Sequence, residues 1–482
     1  MNAQGNGQQN GRRNGARRSP EMGRALLCGV GALLGLLAGS AAASVGPQAA
    51  GQLAGRLMPL GGERAGNADG SIPPWDGGLT PQRRPPQWQP GSRYIDPYAG
   101  EKPLLVIARD NLATYTARLS PGQQALFARY PDSYQLPVYP SHRSYAAPDV
   151  FYAGTYRNAT QAFLDDGGET SGGTPQHAVA GIPFPLPENG AEAIWNQRLR
   201  WRGAGRERTY VRISVSPDGS ASLVRLAERA RYEAIDAAPR KKIGQVLTYT
   251  ATAVFEPAKL AGTLKLVYDT LLPPPRAWQL SPGQSFIAAT SEAGDDTPVL
   301  GANGLLHEDQ FEGYSGSPAR YEWKLSGKRE LYVPYNSYRL HDAALSYSDL
   351  LTAHHLNTAV TRYELHRVWV LEGKCRTGQA CAWPRRTLYL DEDSWQVLLA
   401  ELYDETDRLV TLQEVHTLMA YDQPVLLPAL ETVYDLVGGR YLATGMNNQA
   451  PEASFGAAEL DAFESGAMHG WAKHIGAVAP RD

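Results

Sequence analysis

Past about residue 150 the chain is dominated by alternating apolar and polar positions, the period that places successive side chains on opposite faces of a strand. "RTYVRISVSPDGSASLVRLAERARYEAI" (208–235) alternates on both sides of Pro-Asp-Gly and predicts a hairpin. "QVLTYTATAVFEP" and "AGTLKLVYDTLLPPP" supply two further strands, the second stopped by its three prolines. "RTLYLDEDSWQVLLAELYDETDRLVTLQEVHTLMAYD" (386–422) reads as a meander with acidic turns at "DEDS" and "DETD". Helical spacing is confined to short pieces. In "ARDNLATYTARLSPGQQALFARYP" (108–131), Leu112, Tyr115 and Leu119 share one face, and Ser120 caps a second helix opened by Pro121. "GAEAIWNQRLRWRG" (190–203) predicts a packed helix carrying Ile194, Trp195, Leu199 and Arg200, closed by Gly203. Together these signals predict a mainly β (α+β) molecule, a large antiparallel sheet with a few helices attached. Such a sheet curls, and a helix or loop must cover any open side. Curled sheets of this kind readily enclose an apolar pocket.

The two ends of the chain follow other patterns. Residues 1–24 are polar and basic, with five arginines against the single acid Glu21, and residues 25–39, "ALLCGVGALLGLLAG", are apolar. That run is shorter than the roughly 20 residues that span a bilayer. With small residues at Ala41 and Ala43 it predicts a signal peptide over 1–43, cut near Ala43, with an uncleaved anchor as the alternative. Residues 44–107 are rich in Gly, Pro, Asn and Gln, with Trp75 and Trp88 as isolated aromatics. "ERAGNADGSIPPWDGG" (63–78) cannot sustain a hydrogen-bonded ladder, so this segment is expected to run as an extended strap. The expected organisation is therefore signal peptide, strap, short helices over 108–150, a β domain over 151–445, and a tail over 446–482 with a short helix near Ala457–Phe463.

Charge and cysteine usage narrow the function. Without residues 1–43 the chain keeps 41 of its 46 basic and 48 of its 49 acidic residues, a net charge of −7. Nothing electrostatic then favours nucleic acid. Cys375 and Cys381, in "EGKCRTGQACAWP", flank a Gly-containing turn between the strand-like runs "RYELHRVWVLEG" and "RRTLYLDED". A disulfide across a hairpin is the expectation in an oxidising compartment. The C-x5-C spacing matches neither a C-x-x-C redox motif nor the usual zinc knuckles, the two alternatives.

Catalytic signals are weak. Gly313-Tyr314-Ser315-Gly316-Ser317 lacks the last glycine of G-x-S-x-G, the adjacent His354 and His355 point different ways, and His307-Glu308-Asp309 has no evident partner. The carboxylate pairs Asp165-Asp166, Asp295-Asp296 and Asp391-Glu392-Asp393 fall in predicted turns and read as solvated. No catalytic residue, metal or cofactor is expected. The aromatic content is unusual, 25 Tyr and 10 Trp against 9 Phe. Tyr and Trp suit a pocket that is apolar along its wall and wet at its mouth. Candidate ligand-binding residues are Trp195 and Trp201 on the helix, with Tyr249, Phe255, Tyr268, Trp369, Tyr389 and Trp395 on strands. A one-residue slip of register would turn every strand candidate to the other face.

"ERAGNADGSIPPWDGG", "YPSHRSYAAP", "GIPFPLPENGAEAIWN", "SPARYEWKLSGKRELYVPYNSY", "RYELHRVWVLEG" and "RTLYLDEDSWQVLLAELYD" together resemble the family called domain of unknown function 1329, in the same order along the chain. The resemblance implies an exported protein of Gram-negative bacteria. It also implies a half-open antiparallel barrel similar to the lipoprotein carriers LolA and LolB, with helices filling its mouth. The expected function is that of a periplasmic carrier for a lipid, lipoprotein or other hydrophobic ligand. A resistance-nodulation-division (RND) type exporter of the inner membrane and an outer-membrane protein are the implied partners. An envelope scaffold whose cavity is filled by side chains is the alternative, and a periplasmic hydrolase a lesser one.

Overall fold

The computed structural model describes residues 45–165, 173–233, 245–272 and 274–478, so the expected signal peptide lies outside the described residues. The N-terminal part holds α1 (Pro47–Ala50), β1 (Leu105–Ile107), α2 (Leu112–Tyr115), α3 (Pro121–Arg129), β2 (Leu136–Val138) and α4 (Asp149–Gln161). A small hairpin of β3 (Phe163–Leu164) and β4 (Pro175–Gln176) leads to α5 (Gly190–Arg198). Six strands follow: β5 (Gly205–Val215), β6 (Ala221–Tyr232), β7 (Val246–Glu256), β8 (Leu264–Thr270), β9 (Arg276–Leu280) and β10 (Ala288–Thr290). After β11 (Tyr321–Pro334) and α6 (Tyr347–Leu350) come β12 (Tyr363–Cys375), β13 (Arg385–Asp391), β14 (Val397–Tyr403), β15 (Leu409–Ala420), β16 (Val425–Asp435) and β17 (Tyr441–Met446). The short β18 (Ser454–Phe455) and α7 (Ser465–Val478) close the described chain.

Sixteen of these strands form one sheet, in the order β1-β2-β12-β13-β14-β15-β16-β17-β5-β6-β7-β8-β9-β10, with β11 also on β12 and β18 on β5. The pairings are antiparallel except for the single Tyr363–Val138 step between β12 and β2. Each half is a meander, as the alternation predicts. The halves join where β17 lies beside β5, pairing Tyr441 with Val215 and Ala443 with Ile213. No ladder joins β10 to β11 or to β1 among the described residues, so the curled sheet remains half-open.

Apolar residues on both faces of the sheet are covered. On one face Leu388, Leu390, Val397 and Leu418 pack with Phe151 of α4 and Ile194 and Trp195 of α5. On the other, Leu412, Leu430 and Tyr434 pack with Leu126 and Phe127 of α3. Each such side chain contributes about 1.5–3 kcal/mol by leaving water. α3 opens as its sequence predicts: the Ser120 hydroxyl accepts from the Gln123 N–H, and the Gln123 side chain accepts in return from the Ser120 N–H.

The strap is extended and anchored. Trp75 is buried, its indole N–H donates to Tyr145 O at 3.0 Å, and the Arg64 guanidinium lies 5.0 Å from its ring centre. Beneath the strap lies a correction. Asp391, Glu392 and Asp393 do form a turn, yet they are only 0%, 1% and 2% exposed. Arg143 reaches Asp393 from Nε at 3.0 Å and from Nη2 at 2.6 Å, while Arg367 Nε reaches Glu392 at 2.7 Å. Arg143 and Arg367 also donate to Ala65 O in the strap, at 3.4 Å and 2.7 Å, so these acids fasten it to the sheet. Of the other pairs, Asp295, Asp296 and Asp165 sit nearer the surface and Asp166 lies outside the described residues: Asp295 meets Arg320 at 3.3 Å, and Asp165 accepts from the Thr174 N–H and hydroxyl at 2.6 Å and 2.7 Å.

Two helix expectations change. α5 stops at Arg198, well short of Gly203, because Arg200 turns back to donate to Gln197 O at 2.7 Å. The short helix expected at Ala457–Phe463 is a 3-10 turn over Leu460–Phe463, followed by the fourteen-residue α7. Cys375 and Cys381 form a disulfide.

Candidate ligand-binding cavity

A cavity of about 200 Å³ lies against one face of β5–β8. Alternation selects its wall. Arg206, Arg208, Tyr210 and Arg212 face it from β5, Leu226, Glu228, Ala230 and Tyr232 from β6, Thr248, Thr250, Thr252 and Val254 from β7, and Lys265, Val267 and Asp269 from β8. The pairings set these side chains in rows, one running Arg206, Ala230, Thr250, Val267 and the next Arg208, Glu228, Thr252, Lys265. The cover comes from Trp195 and Arg198 of α5, from Arg200 and Arg202 just beyond it, and from the loop carrying Val299, Leu300, Phe311, Glu312 and Tyr314.

The cavity is more charged than the expected apolar pocket. Glu312 accepts from Arg200 and, at 3.2 Å, from Arg206, while Glu228 takes Arg206 at 3.3 Å and Arg208 at 3.1 Å. Burial raises the Glu312 carboxyl, but Arg200, Arg206 and Arg202 outweigh it and hold it at about 2. Glu431, from the neighbouring β16, follows the opposite balance. Burial, with Glu312 beside it, pushes it up to about 7 against the pull of Arg208 and Arg206. Arg202 lies 4.3 Å from the Tyr232 ring centre and Arg208 the same distance from Tyr210, so both guanidinium groups rest on aromatic rings.

Of the sequence-predicted pocket residues, Trp195 alone lines this cavity. Tyr249, Phe255 and Tyr268 stand on the opposite face of β7 and β8, packed with Phe463, Met468 and Trp471 under α7. Strand register decides this: Thr248, Thr250, Thr252 and Val254 take the cavity side. Trp201 lies beyond α5, 5.4 Å from the Phe151 ring, and donates to Pro424 O at 2.8 Å. Trp395 sits in the β13–β14 turn at φ +64°, not on a strand, and stacks on Trp369 at 5.8 Å. Tyr389 donates to Glu401 at 3.1 Å inside another part of the core. The residues missed are the cavity-facing arginines of "GRERTYVRISV", whose signal is cations at alternate positions on one strand.

The serine motif is in use structurally. Ser315 donates its hydroxyl to Glu308 O at 2.8 Å, and no histidine lines the cavity. His355 pairs with Ser133 at 2.9 Å, far along the chain. Among the described residues no group of three His, Cys, Asp or Glu side chains is placed to hold a metal ion, and no helix is long and apolar enough to cross a membrane.

A half-open antiparallel sheet, with a charged and partly apolar cavity against one face, defines the class of fold. Residues 106–469 match the family described as protein of unknown function, DUF1329, and the chain belongs to that family. An uncharacterized protein of Pseudomonas aeruginosa is 41% identical over 415 residues, covering 84% of this chain and 89% of the relative. Among solved structures, a DUF1329 family protein from Desulfovibrio piger aligns at 14% identity and a TM-score of 0.38, over 55% of this chain and 92% of its own. A LolA superfamily protein from Nitrosomonas europaea aligns at 13% identity and a TM-score of 0.34, over 56% and 93%.

Proposed function

We propose that this protein is a non-enzymatic periplasmic carrier that shelters a lipid, or the lipid part of a modified partner, and passes it between envelope components. The RND-type exporter and outer-membrane protein implied by the family resemblance are the partners of this reading. One observation carries it: the half-open sheet keeps a cavity where Leu226, Val254, Val267 and Phe311 offer apolar wall beside a row of guanidinium groups. Such a mixed wall suits an amphiphile, buried along its chain and held at its polar end. Affinity is expected to grow with chain length, at about 25 cal/mol per Å² of apolar surface removed from water.

A scaffold holding envelope partners together is the second reading, and the cavity's size favours it. About 200 Å³ is below the roughly 300–1,000 Å³ of ordinary ligand pockets. Native mass spectrometry of the protein isolated from a periplasm, with solvent extraction of what it releases, separates the two. The carrier releases a lipid in near-stoichiometric amount; a clean mass that takes up neither fatty acid nor phospholipid would establish the scaffold instead.

A further inference from the structure

Resting on the carrier reading, we propose that the cavity recognises an anionic group, a phosphate or carboxylate, at the guanidinium row of Arg202, Arg206, Arg208 and Arg212. The carboxylates around the row do not match its charge. Glu312 is shared by Arg200 and Arg206, with Arg202 4.0 Å away, and Glu228 by Arg206 and Arg208. Among the described residues Arg212 donates to oxygens of neutral groups, Leu300 O at 2.6 Å and Thr444 Oγ1 at 3.4 Å. The remaining lining charges pair off. Lys265 meets Glu308 at 2.6 Å and Arg198 meets Asp269 at 2.7 Å, while Asp295, 3.3 Å from Arg320, shares that guanidinium with Asp296. Across the whole lining, six arginines and Lys265 face the carboxylates of Glu228, Asp269, Asp295, Glu308 and Glu312, an excess of two positive charges, cut to one when Glu431 is ionised.

Such an excess on partly buried groups is eased when an anion enters the space. Two further features shape the site for one. The Nε atoms of Arg202 and Arg206 have no hydrogen-bond partner among the described residues. The Arg202 and Arg208 guanidinium groups lie over Tyr232 and Tyr210; Arg202 Nη2 donates to Thr248 Oγ1 at 3.1 Å and Arg208 Nε to Glu228 at 3.1 Å, and the remaining N–H groups are of the kind that carboxylates and phosphates accept. Beside the row, Leu226, Val254 and Val267 continue the wall as apolar surface for an attached chain.

Titration calorimetry of the mature protein at pH 7 with inorganic phosphate, decanoate and decanol tests this, repeated on Arg202→Gln and Arg208→Gln. Decanoate is expected to bind at least about tenfold more tightly than decanol. Each Gln variant is expected to lose about tenfold for decanoate and nothing for decanol, and Arg208→Lys to recover part of the loss. Equal binding of acid and alcohol, or decanoate affinity unchanged in the Gln variants, would overturn the anion site while leaving the carrier standing. Arginine-dependent binding of phosphate without either amphiphile would do the reverse, establishing a free anion as the ligand. Binding of none of the three overturns both. If the Gln variants fail to fold, the acid-to-alcohol ratio of the wild-type protein decides.

Discussion

The cavity residues set up a conflict between burial and charge, and the structure resolves it differently at Glu312 and Glu431. Glu312 lies among guanidinium groups and stays ionised; removing it would strand buried Arg200 and Arg206. Glu312→Ala is therefore expected to cost about 3–5 kcal/mol of stability, measured by urea unfolding. Glu431 is the opposite case, its carboxyl raised from 4.5 to about 7. The folded state then holds a proton that the unfolded state has released, so this group's contribution falls as pH climbs from about 4.5 to about 7 and levels above that. Its size is on the order of 3 kcal/mol. Glu431→Gln should flatten that part of the stability–pH profile; a profile identical to wild type would show that Glu431 ionises normally. Neither role was legible in the sequence, where a lone glutamate, in a loop like Glu312 or on a strand like Glu431, looks the same whichever groups the fold brings to it. The acids of 391–393 misled for a related reason. Their turn was evident, but its burial depends on Arg143 and Arg367, which are distant in sequence.

Local elements were the most legible part of the molecule, because their signals lie within a few residues. The Ser120 cap, the Pro-Asp-Gly hairpin between β5 and β6, and the 386–422 meander all form where the pattern placed them. α7 was missed because its first residues, Ser465-Gly466-Ala467, carry little helical signal and its stability comes from packing on β7 and β8. The strap's composition predicted extension, and its role follows from what it covers: residues 45–107 hold Trp75 and the 391–393 turn in place, and none of them lines the cavity. Those contacts are packing contacts. Gly78 is one of the strap's tight points, at φ +72° with a Cβ position only 2.0 Å from Tyr145 O. Gly78→Ala should destabilise by about 2 kcal/mol or more, visible as a lower melting temperature. Deleting residues 45–80 should abolish cooperative melting; a deletion that melts normally but binds amphiphiles differently would make the strap a lid.

At the scale of the whole molecule, the sequence established a curled antiparallel sheet and left its closure open. The β17–β5 junction brings together residues more than two hundred positions apart, and no local pattern announces such a pairing. The cavity was misjudged for the same reason. Tyr249, Phe255 and Tyr268 were the apparent pocket, but they lie under α7, and the arginines of β5 face the space instead. The proposed anion site rests on this space, where the arginines outnumber the carboxylates that pair with them. The most direct test compares native mass spectra of the wild-type protein and Thr250→Trp, in which an indole fills the middle of the β5–β8 wall, with Phe255→Ala on the outward face as control. A bound amphiphile in the wild type and in Phe255→Ala, absent from a folded Thr250→Trp, is the predicted result. A wild-type spectrum without ligand, or an amphiphile retained undiminished in Thr250→Trp, would contradict it.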